Sequence, residues 1–404
     1  MSIAPPLSGI RVIDLSRVLG GPFATQILAD HGADVLKIEP PEGDETRRWG
    51  PPHERDAEGR IVSAAYFAGT NRGKRGLSLD LSKPAARDVL LRVLEDADVL
   101  VENFRTGAMA RWGLDYARDL KPKFPQLIYA RLSGFGDDGP MGGAPGYDAV
   151  AQALTGLISI NGPRDGDPVR VGVPIVDLAS GMNIAFGVLL ALQARHRTGE
   201  GSYVESTLFD TGLALLHPHS ANWLNGGRIP QRTGSGHPNL APYDLFRVPG
   251  GEIFLGVGTD KQFAKLAEIL GAPELAQDAR FKTNADRQHH KDALRTALEP
   301  LLVRHDAGTL SKTLLDAGVP AGVAAGIPEA LTSPQAQHRG RVIEAGAYRG
   351  VAAPVRLADT EPVAVRPPPR FAEHTFEILG EVGYTEDMIE ALIKEGAVVM
   401  ERRS

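Results

Sequence analysis

The feature that most constrains this chain is a repeated alternation of short β-branched runs with glycine-punctuated helical stretches across its first half. Gly9-Ile-Arg-Val-Ile-Asp-Leu15 has the composition of a buried strand. Gly20-Gly21-Pro22 and a helical stretch from Phe23 to His31 follow it, and Gly32-Ala-Asp-Val-Leu-Lys-Ile-Glu39 is a second strand. The pattern returns with a helix over Pro84 to Glu95, a strand over Ala97 to Asn103, a short helix over Leu114 to Leu120 and a strand over Leu127 to Leu132. Such alternation predicts an α/β fold, a mostly parallel Rossmann-like sheet with helices on both faces and ligands beyond the carboxyl ends of the strands.

The glycine- and proline-rich stretch from Gly134 to Gly146 reads as a loop at one such strand end, where loops carry function. A long helix is expected from about Ser180 to Arg197, just after Asp177, stopped by Gly199-Glu-Gly201. After Asn225-Gly-Gly the texture changes to a strand pair around Tyr243 to Val257 and helices from Lys261 to Leu315. The tail from Val342 onward, with Pro367-Pro-Pro369, reads as a strap ending in a helix at Thr385 to Lys394. The expected organisation is a large Rossmann-like domain over 1–225, a smaller α+β domain over 226–330, and a C-terminal strap over 331–404 that returns to the large domain or to a partner chain.

Bulk properties remove several function classes. With 404 residues, 42% hydrophobic, the chain can bury a large core, and with no cysteine it has no disulfide framework, thiol nucleophile or thiolate metal site. A net charge of -6 argues against a nucleic-acid partner. The N-terminus lacks a basic region followed by an apolar run, and Ile184 to Leu192 is too short to span a bilayer, so no membrane association and a cytoplasmic location are expected.

Leu19-Gly20-Gly21-Pro22 stands where a dinucleotide fold needs G-x-G-x-x-G, so no NAD site is expected. Neither His217-Pro-His219 nor His289-His290 has the companions of a metal motif, and no G-x-S-x-G elbow is present. Arg72, Lys74 and Arg75 form a basic triplet, read as a loop that meets phosphates or as a solvated charge run. Asp177 sits between an apolar stretch and an apolar helix. It is either a first-turn acid favoured by the helix dipole or a carboxylate nucleophile toward a thioester.

The chain resembles the class III CoA-transferases, the family of formyl-CoA transferase, carnitine CoA-transferase and α-methylacyl-CoA racemase. The resemblance runs nearly end to end. It rests on Val12-Ile-Asp-Leu15, Gly21-Pro22, Gly32 to Glu39, Gly43-Asp44 with Thr46-Arg47, Asn71 to Arg75, Val101-Glu-Asn-Phe104, Gly146-Tyr-Asp148, Asp177 with Ser180-Gly181, and Arg195 to Gly199. It implies that Asp177 is acylated and then forms an aspartyl-CoA thioester, with coenzyme A entering as an acyl-CoA substrate and a carboxylic acid as acceptor. Val18, Arg72, Lys74, Arg75, Asn103, Phe104 and Arg111 are then the expected CoA-groove residues, and Gly234 and Gly236, with His237, a lid over the intermediate. The family fold is an interlocked homodimer.

Two departures shape the expectation. Tyr147 stands where racemase members carry a histidine, and a phenol of ordinary pKa is a poor base at neutral pH, so transfer is preferred and racemisation or an inactive CoA binder is the alternative. Tyr147 is then a hydrogen-bond donor to the substrate or a core tyrosine. Leu19 replaces a glutamine of formyl-CoA transferase, which favours a larger acyl group than formyl or oxalyl. The expected reaction moves CoA from an acyl-CoA such as succinyl-CoA to a small, dicarboxylic acid, with Arg47 and Arg72 as cations for a second anionic group.

Overall fold

The computed structural model describes residues 3–402. The chain forms two compact units, one of Met1–Thr155, Gly172–Leu215 and Gln335–Ser404, the other of Gly156–Val171 and Leu216–Pro334. The second unit thus starts earlier than the change of texture at 226 and takes in a separate excursion, residues 156–171, whose short length hides it in the sequence.

In the first unit the chain runs β1 (Arg11–Asp14), α1 (Gly20–Asp30), β2 (Asp34–Glu39), β3 (Lys74–Ser78), α2 (Pro84–Leu94), β4 (Val99–Glu102), β5 (Ile128–Ser133), α3 (Asp148–Leu154), α4 (Ile175–Thr198), β6 (Tyr203–Thr207) and α5 (Leu208–Ala214). The six strands are parallel in the order β3-β2-β1-β4-β5-β6. That is the order of a doubly wound dinucleotide-type sheet, with its switch point between β1 and β4. Registers such as Ile13 opposite Leu36 and Leu100 put large aliphatic side chains on one face. There they pack with Val89, Leu90 and Val93 of α2. β2, β3, β4 and β5 are buried almost throughout, as in a parallel sheet covered on both faces, although β2 and β3 carry charged side chains.

On the other face α1 and α4 approach backbone to backbone. A Cβ added at Gly181 would lie 2.5 Å from the carbonyl oxygen of Gly20, so glycine is required at this crossing. α4 begins at Ile175, one turn earlier than Ser180, and Asp177 is therefore inside its first turn. It ends at Gly199 in the left-handed conformation, φ +73.

The C-terminal segment belongs to the first unit and ends in two helices, Thr375–Glu381 and Glu386–Glu395, instead of one. Ile378, Leu379 and Ile389 join the core under α2, and Val398 forms a bridge with Leu79. The second unit holds an antiparallel sheet in which Gly251–Gly256 lies between Tyr243–Val248 and Ala321–Val323. Helices Asp260–Ile269, Lys291–Leu302 and Ala307–Asp316 cover it around Phe246, Ile253, Leu255, Phe263 and Leu298.

Candidate active site

The carboxyl ends of β1, β4 and β5 deliver three loops to one cavity of about 340 Å³, lined among others by Val18, Asn103, Phe104, Tyr147 and Asp177. Five of the residues picked out from the sequence are thus brought together. Asn103 fixes the β1 loop: its side-chain oxygen accepts from the backbone N–H of Arg17 at 2.8 Å and its amide donates to the Arg17 carbonyl at 2.7 Å. Val18 then turns with φ +71, a left-handed conformation that a β-branched residue adopts only under constraint. Its N–H faces the buried Asp44 carboxylate at 3.3 Å, and Asp44 in turn accepts from Lys37 at 3.1 Å.

Phe104 is set by its neighbours on both sides. Its N–H donates to Glu102 at 2.6 Å, its ring meets Trp112 edge-on at 5.3 Å, and the Arg17 guanidinium stands over it at 5.4 Å. Burial raises the Glu102 carboxyl to about 7. Arg105 and Thr106 also line the cavity, while Arg111 stands exposed at the end of the next short helix, Ala108–Arg111.

Asp177 is half-buried, and its carboxyl is pushed up to about 7, first by burial and then by the charge of Asp148. Asp148 opens α3, buried, and reaches over to the start of α4. Its Oδ1 accepts from the N–H of Val176 at 2.8 Å and of Asp177 at 3.2 Å, and its Oδ2 accepts from Gln152 at 2.6 Å. The phenol of Tyr66 is raised by burial and then by the charges of Asp177 and Asp148, and Trp49 packs edge-on against it at 5.2 Å. Tyr147, the residue before α3, is 61% exposed. The N-terminus of α1 also lines this cavity at Leu19 and Gly20 and no side chain caps it; Pro22 has no N–H and Phe23 donates to the Leu19 carbonyl, which leaves the Gly20 N–H as the donor on the cavity for a developing negative charge.

The basic triplet departs from expectation. Lys74 and Arg75 open β3 instead of occupying a loop, and all three cations are engaged within the chain. Lys74 is fully buried and donates to Asp14 at 2.9 Å, Asn71 at 2.8 Å and the Pro22 carbonyl at 2.9 Å. Arg72 pairs with Asp30, and Arg75 with Asp34, Glu377 and Glu381. Burial brings the Lys74 ammonium down to about 8. Arg47, offered as a cation for a second anionic group, is likewise buried against Glu39 at 2.6 Å. A cation enclosed with its counter-charge is committed to the core and is not presented to a phosphate.

Gly234, Gly236 and His237 belong to the second unit and line a cavity of about 360 Å³ within it, with Tyr243, Asp244 and Arg295. Gly234 is left-handed at φ +64. The His237 N–H donates to the Tyr243 carbonyl at 3.0 Å and its Nδ1 accepts from the N–H of Asn239 at 3.0 Å, so the ring carries its proton on Nε2; burial lowers its pKa. Asp244 lies in the strand Tyr243–Val248 and pairs with Arg295 at 2.8 Å. Among the described residues, no group of three or more His, Asp or Glu side chains gathers as a metal site.

Sequence reasoning gave no role to Asp148, Glu102, Trp49 or Tyr66. Asp148 and Glu102 sit in recognisable motifs, yet only the fold shows whose N–H groups they accept.

Comparison with known proteins gives a consistent result. Residues 7–375 match the model of CoA-transferase family III. The chain is 40% identical over 384 residues to a succinate–glutarate CoA-transferase of Agrobacterium fabrum, covering 94% of this chain and 96% of that one. It is 40% identical over 364 residues to an acetyl-CoA:oxalate CoA-transferase of Acetobacter aceti, covering 90% and 92%. A crystal structure of a CAIB/BAIF family protein from Brucella suis superposes with a TM-score of 0.85 at 38% identity, over 94% of this chain and all of that one.

Proposed function

Since this chain belongs to CoA-transferase family III and is an enzyme that uses acyl-CoA as substrate, we propose that it moves CoA from succinyl-CoA to a small dicarboxylic acid through covalent intermediates on Asp177. The observation that carries the reading is the Asp177 carboxylate, half-buried on the same cavity as the loops held by Asn103 and Glu102. Relatives named for glutarate and for oxalate favour a dicarboxylate, and the second of them weakens the argument from Leu19 against small acyl groups.

In this reading a carboxylate oxygen of Asp177 attacks the thioester carbonyl carbon, the C–S bond breaks, and CoA leaves as thiolate. The thiolate attacks the Asp177 carbonyl of the mixed anhydride, releasing the donor acid as carboxylate and leaving an aspartyl-CoA thioester. The acceptor carboxylate attacks that thioester and expels the thiolate, which then attacks the acceptor carbonyl of the second anhydride, forming the new acyl-CoA and restoring Asp177. No net proton is taken up. Each tetrahedral intermediate places an oxyanion at the cavity, where the uncapped N-terminus of α1 supplies the Gly20 N–H as donor. Tyr147 adds a phenol donor at the rim.

For the CoA moiety, Val18, Asn103 and Phe104 hold the pantetheine side, and Arg17, Arg105 and Arg111 replace the buried triplet as the cations for its phosphates. The homodimer implied by the resemblance is retained. Its support is a stripe of apolar side chains on α4, with Met182 50%, Phe186 61% and Leu190 54% exposed, continued by Val150 and Leu154 of α3. By length and composition α4 passes as membrane-spanning, yet its other side packs against α1, β5 and β6, so a second protein copy is the covering the stripe fits.

The test is chromatography of the acyl-CoA products formed from succinyl-CoA with a panel of dicarboxylic acids. Formation of at least one new acyl-CoA by the native enzyme, and of none by Asp177→Ala, is expected. Transfer that survives in Asp177→Ala, or no transfer to any acid, contradicts the reading.

A further inference from the structure

The start of α4 leaves Asp177 without the donors that a first-turn acid ordinarily enjoys. An α-helix has four N–H groups at its beginning with no partner inside the helix, and an acid there is stabilised as its anion by them. Here Pro174, at the N-cap, has no N–H, and the three N–H groups that remain before the first intrahelical bond are all taken. The N–H of Ile175 donates to the Val173 carbonyl at 2.8 Å and those of Val176 and Asp177 donate to Asp148; the helix's own ladder then begins with Leu178 donating to the Pro174 carbonyl at 3.1 Å. Pro174, the residue before the helix, offers no side-chain cap. Among the described residues no hydrogen bond reaches the Asp177 carboxylate itself.

Asp148 is therefore placed as a competitor of Asp177 for the same helix terminus. It is buried, two of its acceptor positions are filled by backbone N–H groups of α4, and Gln152 one turn along α3 fills another. Three donors converge on one carboxylate. A fixed negative charge thus stands beside a carboxylate that has no donors of its own.

We propose that Asp148 is a positioning residue for the nucleophile: it takes the helix N-terminus away from Asp177 and keeps a charge beside it, so that acylation, which neutralises Asp177, relieves the repulsion between them. The inference rests on the reading of Asp177 as the acylated residue. When an Asp177 oxygen bonds to the acyl carbon and the C–S bond breaks, the negative charge passes from the carboxylate to the departing CoA thiolate. The reverse step restores it. A carboxylate stabilised by its helix would have to surrender that stabilisation before it could attack, and Asp148 has already removed it.

The other charged groups near α4 do not supply this effect. Tyr66 feels the charges of Asp177 and Asp148, which raise its phenol, and it is neutral at pH 7. α1 presents glycine backbone to Asp177. Arg131 of β5 and Asp210 of α5 act on Glu205 of β6, whereas Asp177 is raised by burial and by Asp148.

The test separates charge from capping. Asp148→Asn keeps an acceptor oxygen for the two N–H groups and removes the charge, whereas Asp148→Ala removes both. Rapid-quench acylation by succinyl-CoA is followed by mass spectrometry of the Asp177 peptide between pH 5 and 9. In Asp148→Asn the midpoint of the rate profile is expected to move down by about one pH unit, with a plateau roughly threefold lower because the less basic carboxylate is the weaker nucleophile. A cap without electrostatic role predicts unmoved profiles for Asp148→Asn, and that result overturns the inference while leaving Asp177 as the nucleophile. Absence of acylation in the native enzyme removes the premise and overturns both. Should Asp148→Asn fail to fold, carbon-detected NMR titration of Asp177 in the native protein decides, since a midpoint in the ordinary carboxylate range overturns the inference.

Discussion

Asn103 grips the backbone of Arg17 from both sides, accepting its N–H at 2.8 Å and donating to its carbonyl at 2.7 Å, and so ties the end of β4 to the loop after β1. The pairing holds the strained Val18 against the cavity that contains Asp177. Asn103→Ala is expected to raise KM for acyl-CoA about tenfold, the cost of one to two lost hydrogen bonds and a relaxed loop, with a smaller fall in kcat. Steady-state kinetics with thermal melting as a control checks it. A change in melting temperature without a change in KM would contradict the role.

The pH dependence follows from Asp177. Its carboxyl is raised to about 7 by burial and by Asp148, so the attacking anion is lost as pH falls through that value. CoA transfer should decline below about pH 7 and level off above it. Stability moves the other way. The folded state holds this proton over a range where the unfolded chain has released it, so ionised Asp177 opposes folding from about pH 4 upward and fully above pH 7. Asp177→Asn should therefore be more stable than the native protein at pH 8, on the order of 1–2 kcal/mol after solvent screening, and nearly equal to it at pH 4. Denaturant unfolding at the two pH values checks this.

The buried triplet and the rim arginines should separate cleanly. Lys74→Met leaves Asp14, itself fully buried, without its ammonium partner and should cost about 3–5 kcal/mol of stability. Arg111→Ala, at an exposed site, should leave the melting temperature within about a degree and weaken acyl-CoA binding several-fold. Calorimetry and CoA titration distinguish them.

Phe186→Glu places a charge in the apolar stripe of α4, 61% exposed in the single chain. Sedimentation equilibrium should find the native protein as a dimer and this variant shifted toward monomer. A native monomer, or a dimer indifferent to the charge, contradicts the assignment of that face.

The parallel α/β layering was legible in the alternation of runs from Gly9 to Leu132, but the strand order was not: the edge strand Lys74–Ser78 opens with two cations and reads as a loop. The site was legible where motif and resemblance met, at Asp177, Asn103 and Phe104. What stayed hidden is pairing. Arg72, Lys74 and Arg75 look alike as letters, and only packing shows each closed onto an acid, the most distant of them Glu381 at the far end of the chain. Asp148 was quoted as part of a motif, but its hold on the start of α4 depends on two helices 28 residues apart meeting in space. The excursion over 156–171 has no strand or long helix to announce it.

The central claim is a covalent bond at one carboxylate, and the direct measurement is mass spectrometry of the protein quenched with hydroxylamine after incubation with succinyl-CoA. A hydroxamate at Asp177 in the native enzyme, absent in Asp177→Ala, is the predicted result; turnover to a new acyl-CoA with Asp177 unmodified at every quench time would contradict it.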